Sequence, residues 1–126
     1  MVRAASSTEV ANKTNVTAFI NPSNASTIAQ STDIGVGQTW QNVTSSRVNG
    51  STYTNNTGKP IQVNVMASIT GDAPAEALIQ IGSVVVAKSI TRFSAFEKVA
   101  FVSAIVPAGS SYIITWVGTP TISELR

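Results

Sequence analysis

The residues of this chain that could do chemistry fall in three short stretches. GDAPAEA, residues 71–77, holds two carboxylates, Asp72 and Glu76. A glycoside-cleaving pair needs its carboxyl groups roughly 5–10 Å apart, and any two acids in a short loop can meet that spacing, so a solvated turn explains them equally. KSITRFSAFEK, residues 88–98, gathers Lys88, Arg92, Phe93, Phe96 and Glu97 in the longest interval without Gly or Pro after residue 33. Sugar recognition combines aromatic faces with planar polar groups on loops held by a rigid scaffold. An Arg beside a Phe could meet an acidic sugar or a phosphate through charge-assisted hydrogen bonds, while the same phenylalanines could simply pack beneath a connection. The third stretch is DIGVGQTWQNVTSSR, residues 33–47. Its GVG fails as a dinucleotide loop, because Trp40 stands where the third glycine must let a helix pack closely on a strand. TWQNVT suits a strand, so GVGQTW reads as a turn and first strand. Trp40 is then either packed at a strand or subunit seam or a platform for a sugar ring.

Composition narrows the chemistry further. The chain has no histidine and no cysteine, which removes the usual ligands for zinc, copper and haem, the His-dependent triads and the thiol nucleophiles. No run of alternating acidic ligands surrounds Asp33 or Asp72, so a calcium site has no support. The expectation is a protein that is not an enzyme and takes no cofactor or metal. Only 11% of residues are charged, the net charge is +2, and the eight Lys and Arg are scattered singly, so no basic patch points to nucleic acid. No apolar run approaches the roughly 18 residues of a membrane span, and the N-terminus lacks a signal-peptide pattern; neither membrane insertion nor secretion by that route is expected. Six N-x-S/T sequons, at Asn12, Asn15, Asn24, Asn42, Asn49 and Asn55, follow from a composition rich in Asn, Ser and Thr rather than from glycosylation.

The elements that must position these residues are strands. A chain of 126 residues is about one domain with a real core. Residues 1–33 are small and polar and bury little by themselves, which sets them apart as a segment ahead of 34–126. From Ile34 onward, short apolar or alternating runs recur at intervals of about 8–12 residues between Gly, Pro and Asn, the pattern of a sandwich or barrel. IQVNVMASIT, residues 61–70, puts Ile61, Val63, Val65, Ala67 and Ile69 on one side. A strand around STYTN precedes it, and ALIQIGSVVVAK reads as two strands joined at Gly82-Ser83. KVAFVSAIV, residues 98–106, is apolar on both faces; a helix is conceivable, but β-branched and aromatic content and the stop at Pro107 favour a strand. A strand apolar on both faces in a small antiparallel domain needs a second cover, and another subunit is the natural source. YIITWV repeats the pattern, and TPTISELR supplies a short closing strand.

Gly35, Gly37, Gln38, Thr39, Trp40, Arg47, Tyr53, Asn55, Thr57, Gly58, Pro60 and Ile61 form the pattern G-x-G-Q-T-W, an Arg-containing link, and Y-x-N-x-T-G-x-P-I leading into an alternating strand. This resembles the start of the C-terminal domain of tailed-bacteriophage tail fibres and tailspikes. VPAGSSYIITWVGTPTISELR resembles that family's ending, and ASSTEVANKTNVTAFINPSNAS resembles a fibre-shaft repeat with Lys13 where a glycine usually stands; residues 71–98 match nothing in the family. The resemblance implies an all-β, jelly-roll-like antiparallel sandwich in an intertwined or tightly packed homotrimer, with an extended or partly helical neck. It further implies a distal fibre tip on the virion that binds a bacterial surface polysaccharide or lipopolysaccharide, or else a trimerisation domain of a tailspike whose enzyme lies upstream. On that reading Arg92, Phe93, Phe96, Glu97 and Lys88 contact the receptor, and Trp40, Phe101, Tyr112 and Trp116 serve packing or the trimer interface.

Overall fold

The computed structural model describes residues 33–92 and 96–126; the neck expected at residues 1–33 lies outside them except for Asp33. Eight strands follow in order: β1 (Trp40–Asn42), β2 (Thr52–Thr54), β3 (Ile61–Ile69), β4 (Ala75–Ile81), β5 (Val84–Thr91), β6 (Lys98–Val106), β7 (Ser111–Val117) and β8 (Thr119–Leu125). A single 3₁₀ turn, Thr44–Ser46, lies in the link from β1 to β2. Two antiparallel four-stranded sheets result, ordered β1-β8-β3-β6 and β2-β7-β4-β5, which is the strand order of an eight-stranded jelly roll. The all-β antiparallel sandwich expected from the sequence is therefore present.

Period-two alternation builds the core. Ile61, Val63, Val65 and Ala67 of β3, Ala75, Ala77 and Ile79 of β4, and Ala100, Val102 and Val106 of β6 all turn inward and are buried. Each fully buried Val or Ile contributes roughly 1.5–3 kcal/mol relative to exposure. KVAFVSAIV is strand β6 over its whole length, paired residue for residue with β3 from Ile61↔Val106 to Ile69↔Lys98. Gly82-Ser83 closes the β4–β5 hairpin, with Gly82 at φ 58°. Between Ile79 and Gln80 the register slips, leaving Val86 without a partner opposite, a bulge that bends the edge strand β5.

The chain changes sheet between β7 and β8 through one residue, Gly118, at φ 116°. A Cβ there would sit 2.5 Å from the Ser68 carbonyl oxygen, so only glycine lets the corner pass this close to β3.

The pairings also define two ends. Near one lie the entering segment 33–39, with Thr39 bonded to Arg126 in both directions, the 55–60 and 107–110 turns, and Gly82-Ser83. At the other lie residues 70–74, the described ends of the β5–β6 connection (92 and 96–97) and Gly118. Nine-residue strands separate the ends by about 30 Å.

Candidate functional site

Some of the residues that carry the sequence motif, Arg47, Tyr53 and Asn55 among them, are buried or half-buried braces, whereas Gly35, Gly37, Thr39, Trp40, Thr57 and Gly58 are exposed. Inward alternation on β8 places Glu124 beside Ile122 inside the sandwich, fully buried. A lone carboxylate there would be prohibitive, and three side chains answer it. Arg47, from the link that crosses between the sheets, forms a two-pronged pair with it: Nε donates to Oε2 at 2.9 Å and Nη2 to Oε1 at 2.8 Å. The Tyr112 hydroxyl on β7 donates to Oε2 at 2.8 Å. Arg126 Nε lies 3.5 Å from Oε1 and adds charge without a hydrogen bond. Tyr53 on β2 completes the stack, its ring 4.5 Å beneath the Arg47 guanidinium carbon and 6.0 Å from the Tyr112 ring. β8 belongs to one sheet, β2 and β7 to the other, so the cluster ties the layers together.

Burial works against the Arg47 charge, but the hydrogen bond and attraction to Glu124 outweigh it and hold that pKa above its ordinary value. Burial, then the hydrogen bond to Glu124, pushes the Tyr112 phenol up to about 12. An unfolded tyrosine ionises near pH 10, so the stabilisation is fully present below about pH 10 and is lost as pH rises towards 12. Absorbance titration is expected to show one phenol ionising near pH 12 together with a falling melting temperature, and Tyr112→Phe should abolish that late ionisation. A wild-type titration complete by pH 11 would refute it.

Asn55 organises the entry end. It is fully buried; its Nδ2 donates to the carbonyls of Lys59 at 2.7 Å, Val106 at 3.0 Å and Pro107 at 3.2 Å, and its Oδ1 accepts from Thr57 N at 3.1 Å and Thr57 Oγ1 at 2.7 Å. Lys59 Nζ then donates to Val36 O at 3.1 Å and Gln38 Nε2 to Pro60 O at 2.9 Å, which fastens the GVGQ turn to this brace. Of the sequons, Asn55 is enclosed, Asn49 holds the Trp116 backbone through both side-chain atoms, and Asn12, Asn15 and Asn24 lie outside the described residues.

The residues expected to touch a ligand lie elsewhere, and not all together. Arg92, Phe96 and Glu97 are exposed in the β5–β6 connection, Phe96 at 80%, and Phe93 lies outside the described residues. Lys88 is exposed but belongs to strand β5, not the loop; pairing with Leu78 extends β5 as far as Thr91. Lys98, at the loop's other side, is buried and its ammonium reaches the Gly71 carbonyl. Asp72 sits in the turn before β4, whereas Glu76 is within β4 opposite Val117 and Ile90, so the two are not one loop as the sequence suggested. Among the described residues no three metal-binding side chains come together.

Of the packing group, Tyr112 is wholly internal and Trp116 packs partly against the core, while Trp40 and Phe101 stand 50% and 53% exposed on the outer face of their sheet. Sequence reasoning passed over Glu124, although Ile122 two residues earlier signals its inward direction.

Compared with known proteins, the chain matches no family model, and no curated protein matches it.

Proposed function

We propose that this chain is the distal, non-enzymatic head of a phage tail fibre, a homotrimer that attaches the virion to a bacterial surface polysaccharide or lipopolysaccharide. The observation that carries the reading is the position of Phe96, 80% exposed between Arg92 and Glu97 at the end of the sandwich opposite the entering segment 33–39. A head held by its N-terminal side presents that end outward. Isolated exposed aromatics are common, but one that shares a connection with an exposed Arg and an exposed Glu has the groups that sugar binding needs: a flat apolar face and planar groups for hydroxyls or acidic substituents.

A second reading is a trimerisation or folding domain of a tailspike with its enzyme upstream. It is favoured by Arg47, Tyr53 and Asn55, motif residues that are half-buried or buried and brace the fold. Binding of the full chain to a panel of bacterial surface polysaccharides and to whole cells separates the two. The tip reading expects saturable binding that falls at least ~10-fold, about 1.4 kcal/mol, in Arg92→Ala and Phe96→Ala with unchanged melting. Absence of binding across panel and cells supports the folding role, and release of shorter sugar products would refute the non-enzymatic reading.

A further inference from the structure

We infer that copies of this chain associate through the outer face of the β1-β8-β3-β6 sheet; the inference rests on the homotrimeric reading above and names its interface. The first observation is a distribution of charge. The only charged residues on these four strands are Lys98 and Glu124, and both are turned inward and buried. Every outward position is apolar, hydroxyl-bearing or amide-bearing. The register places Phe101 beside Met66, and lines up Trp40, Leu125, Gln62 and Ile105 as one row across all four strands. Trp40, Met66, Phe101 and Ile105 are exposed there, with Val99 beyond them. The opposite sheet differs: its outward side carries Glu76 and Lys88, as a solvated face should.

Depletion of charge with enrichment of aromatic residues and Met distinguishes the core of a protein interface from ordinary surface. The amide and hydroxyl groups between the apolar residues already bond to one another: Gln62 Nε2 donates to Ser103 Oγ at 3.0 Å, and Ser103 Oγ to Asn64 Oδ1 at 2.6 Å. Covering them therefore strands fewer polar atoms.

Two arguments select another copy of the same chain as the occupant. Around a three-fold axis one patch of this face meets a different patch of the same face on the next copy, and because the face carries no charge no like-charge contact arises, whereas a foreign partner chosen by electrostatic complementarity would leave a signed surface. Size agrees as well. Its strands of 3, 7, 9 and 9 residues, at about 3.3 Å along and 4.8 Å across per residue, cover about 440 Å² in projection, and the corrugation of the side chains raises this towards the ~800 Å² that each copy contributes to a standard stable interface. Phe96 lies two residues before β6, at the end of this sheet rather than on its face, so association across the face is expected to leave it exposed.

The test is the solution mass of the full chain by light scattering across concentrations, for wild type, Phe101→Arg, Met66→Lys and Val85→Lys, the last on the exposed β5 edge of the other sheet. The expected result is a wild-type trimer, a ~100-fold or greater weakening of assembly in the first two with native circular dichroism, and an intact trimer in the third. A trimer that survives Phe101→Arg and Met66→Lys overturns this interface but leaves the trimeric reading standing; a wild-type monomer throughout overturns both. Hydroxyl-radical footprinting of the wild-type assembly needs no variant. Met66 and Phe101 should be protected several-fold relative to Phe96, and equal labelling, corrected for intrinsic reactivity, overturns the inference.

Discussion

Glu124→Ala is expected to destabilise the fold by about 3–5 kcal/mol, the cost of leaving a buried partner charge uncompensated. The loss falls mainly on Arg47, whose side chain is 9% exposed and would keep only the Tyr112 hydroxyl and the Ser46 carbonyl for its donors. Arg126, 26% exposed at its side chain, can turn towards water and adds less. Glu124→Gln keeps the shape and one acceptor but not the charge, so it should fall between wild type and alanine. The paired change Arg47→Met with Glu124→Leu should recover most of the loss, because removing both ends also removes the penalty of burying them. Urea melts at one fixed protein concentration, which holds any assembly term constant, read this as a shift in midpoint at unchanged slope. A loss below ~1 kcal/mol in Glu124→Ala would mean that the cluster does not brace the two sheets.

That carboxylate also shows where sequence reasoning stopped. In β3 the alternation is uninterrupted, and Ile61, Val63, Val65 and Ala67 all lie where the pattern puts them. Glu124 is two residues from the C-terminus of the sequence, where an acid ordinarily reads as solvated. Taking TPTISEL strictly as a strand puts it on the side of Ile122, in the core, and a buried acid then requires partners such as Arg47 and Tyr112. For β6 the sequence separates Val99, Phe101 and Ile105 from Ala100, Val102 and Val106, yet both sets are apolar, so only the sheet order decides which set faces the opposite sheet. The ends of elements were least legible. KSITR looks like loop because its polar residues interrupt the apolar run, whereas backbone pairing with Ala75–Ile81 carries β5 through Thr91.

Asn55→Asp, a change of one atom pair, is expected to cost about 3–5 kcal/mol at pH 7, as large an effect as the loss of Glu124 and opposite in electrostatic sense. Three carbonyl oxygens converge on Nδ2, and a carboxylate placed there has no proton to offer and is fully enclosed. Repulsion and desolvation then act in the same direction. The backbone contacts remain: Asn55 N donates to Ser110 O at 3.0 Å and Gly109 N to Asn55 O at 2.9 Å. The variant therefore isolates the side chain. Both effects raise the folded-state pKa of the introduced acid above the ordinary value near 3.9, so protonation restores a donor and the deficit should shrink as pH falls through that raised value. Asn55→Ala leaves the carbonyls unpaired without adding charge, and should cost about 2–4 kcal/mol with no such pH dependence. Denaturation midpoints of the three proteins at pH 7 and pH 4.5 test this. If Asn55→Asp equals wild type at pH 7, then Oδ1 and Nδ2 are exchanged and the turn is not held by donation to these carbonyls. A deficit that is the same at both pH values would instead trace the cost to packing rather than to the missing proton.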